Sequence, residues 1–142
     1  TRRICRQRQM CIRDRLSLAQ AVPMAGVVIV TTPQQVSLQD ARRGLAMFRQ
    51  MGIPVLGVVE NMSAFIPPDR PDRRYALFGS GGGAQLAADY DVPLLSQIPM
   101  EMPVQEGGDT GRPIVINRSD SASAAEFKGL AEAVLKAVTQ PV

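Results

Sequence analysis

The stretch GVVIVTTPQQVSLQDARRGLAMFRQMGIPVLGVVEN (residues 26–61) decides the fold class. It begins with a continuous β-branched apolar run, residues 26–32, which is typical of a strand buried on both faces of a parallel sheet. A helical stripe of apolar residues follows, and Gly52 and Pro54 end it before a second buried strand, residues 55–61. A strand–helix–strand unit with short connections predicts a right-handed crossover and parallel strands.

The rest of the chain continues this alternation. Residues 84–90 (AQLAADY) predict a short helix, residues 93–99 (PLLSQIP) a third strand, and the periodic apolar positions of residues 127–138 a final amphipathic helix. Ser37 with Asp40 three residues later resembles a capping box for the first helix. We therefore expect an α/β fold with a three-layer, mostly parallel sheet flanked by helices.

The charge distribution divides the chain at Leu16. Residues 1–15 contain six arginines and one aspartate, whereas the other residues carry ten Lys or Arg against twelve Asp or Glu. We expect residues 1–15 to be a basic leader, disordered or foreign to the fold, that does not pack on a domain formed by residues 16–142. The mildly acidic body predicts no nucleic-acid partner, and the apolar runs are too short to cross a membrane.

Candidate chemistry is sparse. Cys5 and Cys11 both lie in the leader, at a spacing that only weakly suggests a metal or redox pair, and the cysteine-free body is typical of a reducing cytoplasm. The chain has no histidine, and Asp69 and Asp72 lie in a proline-rich loop where we expect them to be solvated. We assign no catalytic residue and no metal ligand.

The glycine-rich segment GSGGG (residues 79–83) precedes a predicted helix, so its amides could face an anion. A Walker A loop requires a lysine and a Ser or Thr after its last glycine, whereas Ala84 and Gln85 follow here. We therefore predict a close-approach loop and not a phosphate cradle.

Three segments follow predicted strands at the edge where parallel sheets collect ligands: TTPQQ, ENMS and IPMEMP. Together with FGSGGG and EGGDTGRPIV, in this order, they closely resemble the Mrp/ApbC-type iron–sulfur cluster carriers, P-loop ATPases of the MinD-like class. The resemblance runs from residue 16 to about residue 138. Because the family's P-loop and switch segments precede this region, it implies the C-terminal half of such a domain, which alone neither hydrolyses ATP nor binds it tightly.

The resemblance implies ATP with Mg²⁺ and a 4Fe–4S cluster as ligands, a cytoplasmic homodimer, and apo iron–sulfur proteins as clients. Most members carry a Cys-x-x-Cys pair between ENMS and the glycine-rich element, where this chain has IPPDRPDRRY (residues 66–75). The usual cluster ligands are thus absent, and we expect this loop to bind no cluster. The alternatives are a MinD-like positioning or partitioning ATPase and a non-enzymatic scaffold that docks clients through the loop.

Asn61, Pro99, Met100 and Glu101 are the candidate nucleotide-binding residues. Asn61 and Pro99 end neighbouring predicted parallel strands, so they should emerge at the same edge. An asparagine amide offers a donor and an acceptor, which suits the edge of adenine, and Pro99 would turn the chain and expose backbone groups at Met100 and Glu101. The resemblance points to the same residues. The alternative is that Asn61 only caps a turn.

Overall fold

A computed structural model describes residue 17 and residues 19–139 of the chain. Within these residues, three strands form one parallel sheet in the order β1-β2-β3: β1 (Val27–Thr31), β2 (Val55–Phe65) and β3 (Leu94–Met100). The five helices with assigned bounds are α1 (Gln35–Gln50), α2 (Gly82–Asp89), α3 (Met102–Thr110), α4 (Ile114–Asn117) and α5 (Ala122–Thr139). The α/β class and the parallel pairing are confirmed. The expectation for residues 1–15 concerns residues outside the described part.

Helices cover both faces of the sheet. The apolar core lies between the sheet and helices α1 and α2, and its buried members are Val27, Ile29, Leu38, Ala41, Leu45, Val58, Leu86 and Ala87. Each fully buried leucine contributes about 2 kcal/mol. Helix α5 packs on the other face of β3, where the Ser96 hydroxyl donates to the Glu126 carboxylate at 2.7 Å. These contacts give the predicted three layers.

An ion pair joins α1 to α2 at the surface. The Arg42 guanidinium lies 2.6 Å from the Asp89 carboxylate, and Gln85 donates to the same carboxyl group at 2.7 Å. These hydrogen bonds, first from Gln85 and then from Arg42, lower the pKa of Asp89 below its ordinary value. The pair therefore stabilises the fold at neutral pH, and its contribution is lost as the pH falls through the folded-state pKa.

Two local predictions were wrong. Helix α1 begins at Gln35 after Gln34, which makes no side-chain cap, and Ser37 is inside the helix, where its hydroxyl accepts a hydrogen bond from Thr32. The segment ENMS is not a loop, because β2 continues to Phe65. Helices α3 and α4 were also not foreseen from the sequence.

Candidate functional site

The ladder between β2 and β3 is interrupted at Pro99. Asn61 pairs with Ile98 and Phe65 pairs with Met100, so three residues of β2 lie opposite this one proline. A proline has no N–H to donate, which explains why regular pairing cannot continue through it. The extra residues form a bulge at the carboxyl end of β2, and bulges of this kind redirect the side chains beside them.

Asn61 and Met62 form the start of this bulge. Met62 has a left-handed backbone with φ of 56°, and its amide donates to Asn61 Oδ1 at 2.9 Å. This bond fixes the carboxamide of Asn61. Within residues 19–139, the Nδ2 group of Asn61 has no hydrogen-bond partner, and Oδ1 keeps a second lone pair. Asn61 thus offers the donor and acceptor that the sequence predicted.

A cavity of about 770 Å³ follows the edge of β1 that does not pair with β2. Met24, residues 26–32, the facing side of α1 and Asn61 line it, and most of the lining is apolar. Val30 is 60% exposed here, because alternate side chains of β1 point away from the core. The volume falls in the range of small-molecule pockets.

The four candidate residues lie toward the carboxyl ends of β2 and β3, but their surroundings differ. Only Asn61 lines the cavity. Pro99 is fully buried, and its carbonyl accepts a hydrogen bond from Ser123 Oγ at 3.1 Å. The Met100 carbonyl accepts the Ile66 amide, so this backbone group is already engaged.

Glu101 has a structural partner that the sequence analysis missed. Its Oε2 accepts the amide of Ser123 at 2.7 Å, near the start of α5. A carboxylate at a helix N-terminus satisfies a free amide and interacts favourably with the helix dipole. The prediction that all four residues share one ligand cleft stays a prediction.

The glycine-rich segment is tightly packed where it enters α2. A Cβ atom on Gly82 would lie 2.6 Å from the Pro33 carbonyl oxygen, and one on Gly83 would lie 2.7 Å from Cβ of Glu60. These distances are shorter than side chains tolerate. The predicted close approach is confirmed at both positions.

Glu60 accepts a hydrogen bond from the Gly83 amide, which is therefore not available to a bound anion. It is 1% exposed, its Oε2 accepts the Gly83 amide at 2.5 Å, and its Oε1 accepts Gln97 Nε2 at 3.0 Å. We call this arrangement of Glu60, Gly83 and Gln97 the Glu60 clamp. Sequence reasoning missed it, and the only signal was a carboxylate at the end of an otherwise apolar strand.

The proline-rich loop, residues 66–75, folds back on β2. Phe65 and Tyr75 exchange two backbone hydrogen bonds of 2.8 and 2.9 Å, which close the loop as a hairpin. Asp69, Arg70 and the residues after them are exposed. Among the described residues, no three His, Cys, Asp or Glu side chains gather into a metal site. The loop itself offers carboxylate and phenol oxygens, a donor set that does not fit an iron–sulfur cluster.

A sequence profile of the family described as ParA: NUBPL iron-transfer P-loop NTPase matches residues 13–135. The chain belongs to this family. The match covers every described strand and begins three residues before Leu16, where the resemblance was expected to start.

The similarity to one relative agrees with this assignment. The chain is 60% identical over 119 residues to the iron–sulfur cluster carrier protein of Synechocystis. The aligned region covers 84% of this chain and 34% of that relative. It therefore spans about a third of that relative's length.

Two solved structures share the fold. The cell division ATPase MinD of Pyrococcus furiosus matches with 30% identity and a TM-score of 0.57, covering 77% of this chain and 41% of MinD. A nucleotide-binding protein of Archaeoglobus fulgidus, solved in complex with ADP, matches with 35% identity and a TM-score of 0.54, covering 62% and 36%. Within the described residues, no helix is both long and apolar enough to cross a bilayer.

Proposed function

We propose that this chain forms the adenine-binding edge of the ATP site in an ATP-dependent iron–sulfur cluster carrier. The observation that carries the proposal is the position of Asn61 toward the carboxyl edge of the parallel sheet, where it borders the cavity along β1. Its Oδ1 is held by the Met62 amide, and its Nδ2 has no partner within residues 19–139. Ligands of open α/β sheets bind at this edge. The match to a family of P-loop NTPases and the ADP complex of a structural neighbour support the choice of ligand.

Asn61 would bind the base and take no part in phosphoryl transfer. Its Nδ2 donates to a ring nitrogen of adenine, and the second lone pair of Oδ1 accepts from the exocyclic amino group. The Met62 amide orients the carboxamide before the ligand arrives, which reduces the entropy lost on binding. Pro99, Met100 and Glu101 would border the base, with Pro99 and Glu101 held by the start of α5.

The cluster is the cargo of the proposed carrier, and the proline-rich loop does not hold it. We assign no cluster ligand among the described residues, because the loop lacks thiolates. We further propose that the protein works in the cytoplasm as a homodimer and delivers clusters to apo iron–sulfur proteins, as the family resemblance implies.

A MinD-like positioning ATPase is the second candidate, and the similarity to the Pyrococcus furiosus MinD structure supports it. The higher identity to a cluster carrier favours the first candidate. The mixed charge of α5, with Lys128 and Lys136 near Glu126 and Glu132, also argues against binding to an anionic membrane surface.

The proposal is tested with a chimera that joins residues 16–142 to the preceding part of the Synechocystis carrier. Isothermal calorimetry should show MgATP binding, and Asn61→Ala should weaken it about tenfold, equivalent to roughly 1.4 kcal/mol. Asn117→Ala, at an exposed asparagine at the end of α4, is the matched control and should bind ATP like the parent chimera.

An intact Synechocystis carrier serves as the positive control. If it binds ATP while the chimera does not, the proposed function is wrong. If Asn61→Ala and Asn117→Ala bind ATP with equal affinity, Asn61 has no role in binding the base.

A further inference from the structure

Within residues 19–139, the buried carboxylate of Glu60 has no ionic partner. Neither of the two ion pairs formed by the described residues involves it, and its hydrogen-bond partners are the Gly83 amide and Gln97. Burying a carboxylate in this way costs free energy unless its hydrogen bonds compensate. The proposed ATP site makes no direct use of this group.

The clamp joins three elements at one point. Glu60 is on β2, Gly83 is in the first turn of α2, and Gln97 is on β3, beside Glu60 in the parallel register. The start of α2 at Gly82 and Gly83, which we call the α2 entry, also packs closely against the β1–α1 connection. A Cβ atom on Gly82 would have no room beside Pro33. The start of α2 therefore cannot shift without breaking the bond to Glu60.

Backbone hydrogen bonds attach the proline-rich loop to the ends of β2 and β3. At its beginning, the Ile66 amide donates to the Met100 carbonyl at 3.0 Å, and the Phe65–Tyr75 hydrogen bonds close the hairpin. Beyond Tyr75, residues 76–81 lead to Gly82 at the start of α2. Asn61 follows Glu60 in the same strand, so the Glu60–Gly83 hydrogen bond closes a segment that contains both Asn61 and the loop.

We propose that Glu60 is a positioning residue whose carboxylate fixes the entry of α2, and with it the proline-rich loop, relative to the strand edge that carries Asn61. A shift of β2 at Asn61 is then transmitted through Glu60 to the loop, and a shift of the loop is transmitted back. The link to a nucleotide rests on the proposed function. The anchoring does not, so it is tested without any nucleotide.

The test uses limited trypsin digestion of the 142-residue chain, because the exposed loop offers cleavage sites after Arg73 and Arg74. Glu60→Ala removes the acceptor of the Gly83 amide and should raise cleavage at these sites on the order of tenfold, since proteolysis follows local opening. Cleavage after Arg118, in the α4–α5 connection, is the internal control and should stay unchanged.

Glu60→Gln distinguishes anchoring from general stability. A glutamine keeps an oxygen for the Gly83 amide, and its NH₂ group can face Gln97 once the Gln97 carboxamide has rotated, so the wild-type cleavage rate in the loop should return. Glu126→Ala removes another carboxylate that bonds a strand, on the opposite face, and should leave loop cleavage unchanged. Amide exchange should quicken at both Met62 and Tyr75 in Glu60→Ala, because both residues lie within the segment that the Glu60–Gly83 hydrogen bond closes.

Gly83→Ala is a second route to the same displacement, should Glu60→Ala fail to fold. Its Cβ atom collides with Glu60 and should also speed loop cleavage, whereas Gly108→Ala, at a helical glycine with no neighbour within 4 Å, should not. The proposal is overturned if Gly83→Ala leaves loop cleavage at the wild-type rate, if a folded Glu60→Ala raises cleavage equally after Arg118, or if Glu60→Gln is as labile as Glu60→Ala.

Discussion

The proline-rich loop and the α2 entry are close in sequence, and both contain residues typical of turns. They differ in burial, because most of the loop is exposed and the α2 entry is buried. Residues 68–75 are exposed, including two aspartates and three arginines. A few residues later, Gly82 and Gly83 are buried against Pro33, Leu38 and Glu60. Glycine at the α2 entry is required by packing, whereas the composition of the loop is free of that constraint.

The candidate site combines both kinds of region. The Glu60 clamp is one residue from Asn61, and the exposed loop begins a few residues later. Asn61 and the loop therefore both lie within the segment that the Glu60–Gly83 hydrogen bond closes.

The largest effect should come from filling the α2 entry. Gly83→Ala should lower the free energy of unfolding by about 2–3 kcal/mol, because its Cβ atom would lie 2.7 Å from Cβ of Glu60 and something must shift. Urea denaturation followed by circular dichroism measures the change. Gly108→Ala is the matched control and should stabilise the protein by about 0.5–1 kcal/mol, through helix propensity alone. Equal effects of the two substitutions would remove the distinction between packed and open glycines.

The smallest effect should come from the loop. Arg73→Ala should change the free energy of unfolding by no more than about 0.5 kcal/mol, because the side chain is exposed and forms no ion pair within the described residues. The same denaturation experiment checks it. A loss comparable to that of Gly83→Ala would mean that the loop contributes to the fold and is not merely attached to it.

Much of the fold could be predicted from local patterns. β-branched apolar runs, a helical stripe and their stop signals identified three strands and three helices, because burial on both faces of a parallel sheet leaves a continuous apolar run. Helix α3 was missed because Gly107 and Gly108 lower its helix propensity. Its signals were a proline near its start and Gly111 in a left-handed conformation after its end.

The end of β2 and the clamp could not be read from local sequence. The extension of β2 to Phe65 depends on its pairing around Pro99, which lies in another strand. The bond from Gly83 to Glu60 joins residues 23 positions apart, so neither residue alone indicates it. The position of Asn61 beside the carboxyl end of β3 was predictable because the two strands run parallel. The hydrogen bonds that occupy Glu101 and the Met100 carbonyl required the structure.

The central claim is that Asn61 reads the base of ATP, and base preference tests it most directly. In the chimera with the Synechocystis carrier, the ratio of the dissociation constants for MgGTP and MgATP should be on the order of ten or more, in favour of ATP. Asn61→Asp replaces the donor of the carboxamide by a second acceptor, which suits guanine and repels the acceptor nitrogen of adenine, so the ratio should fall to about one or below. A ratio in Asn61→Asp that equals that of the parent chimera would contradict the claim.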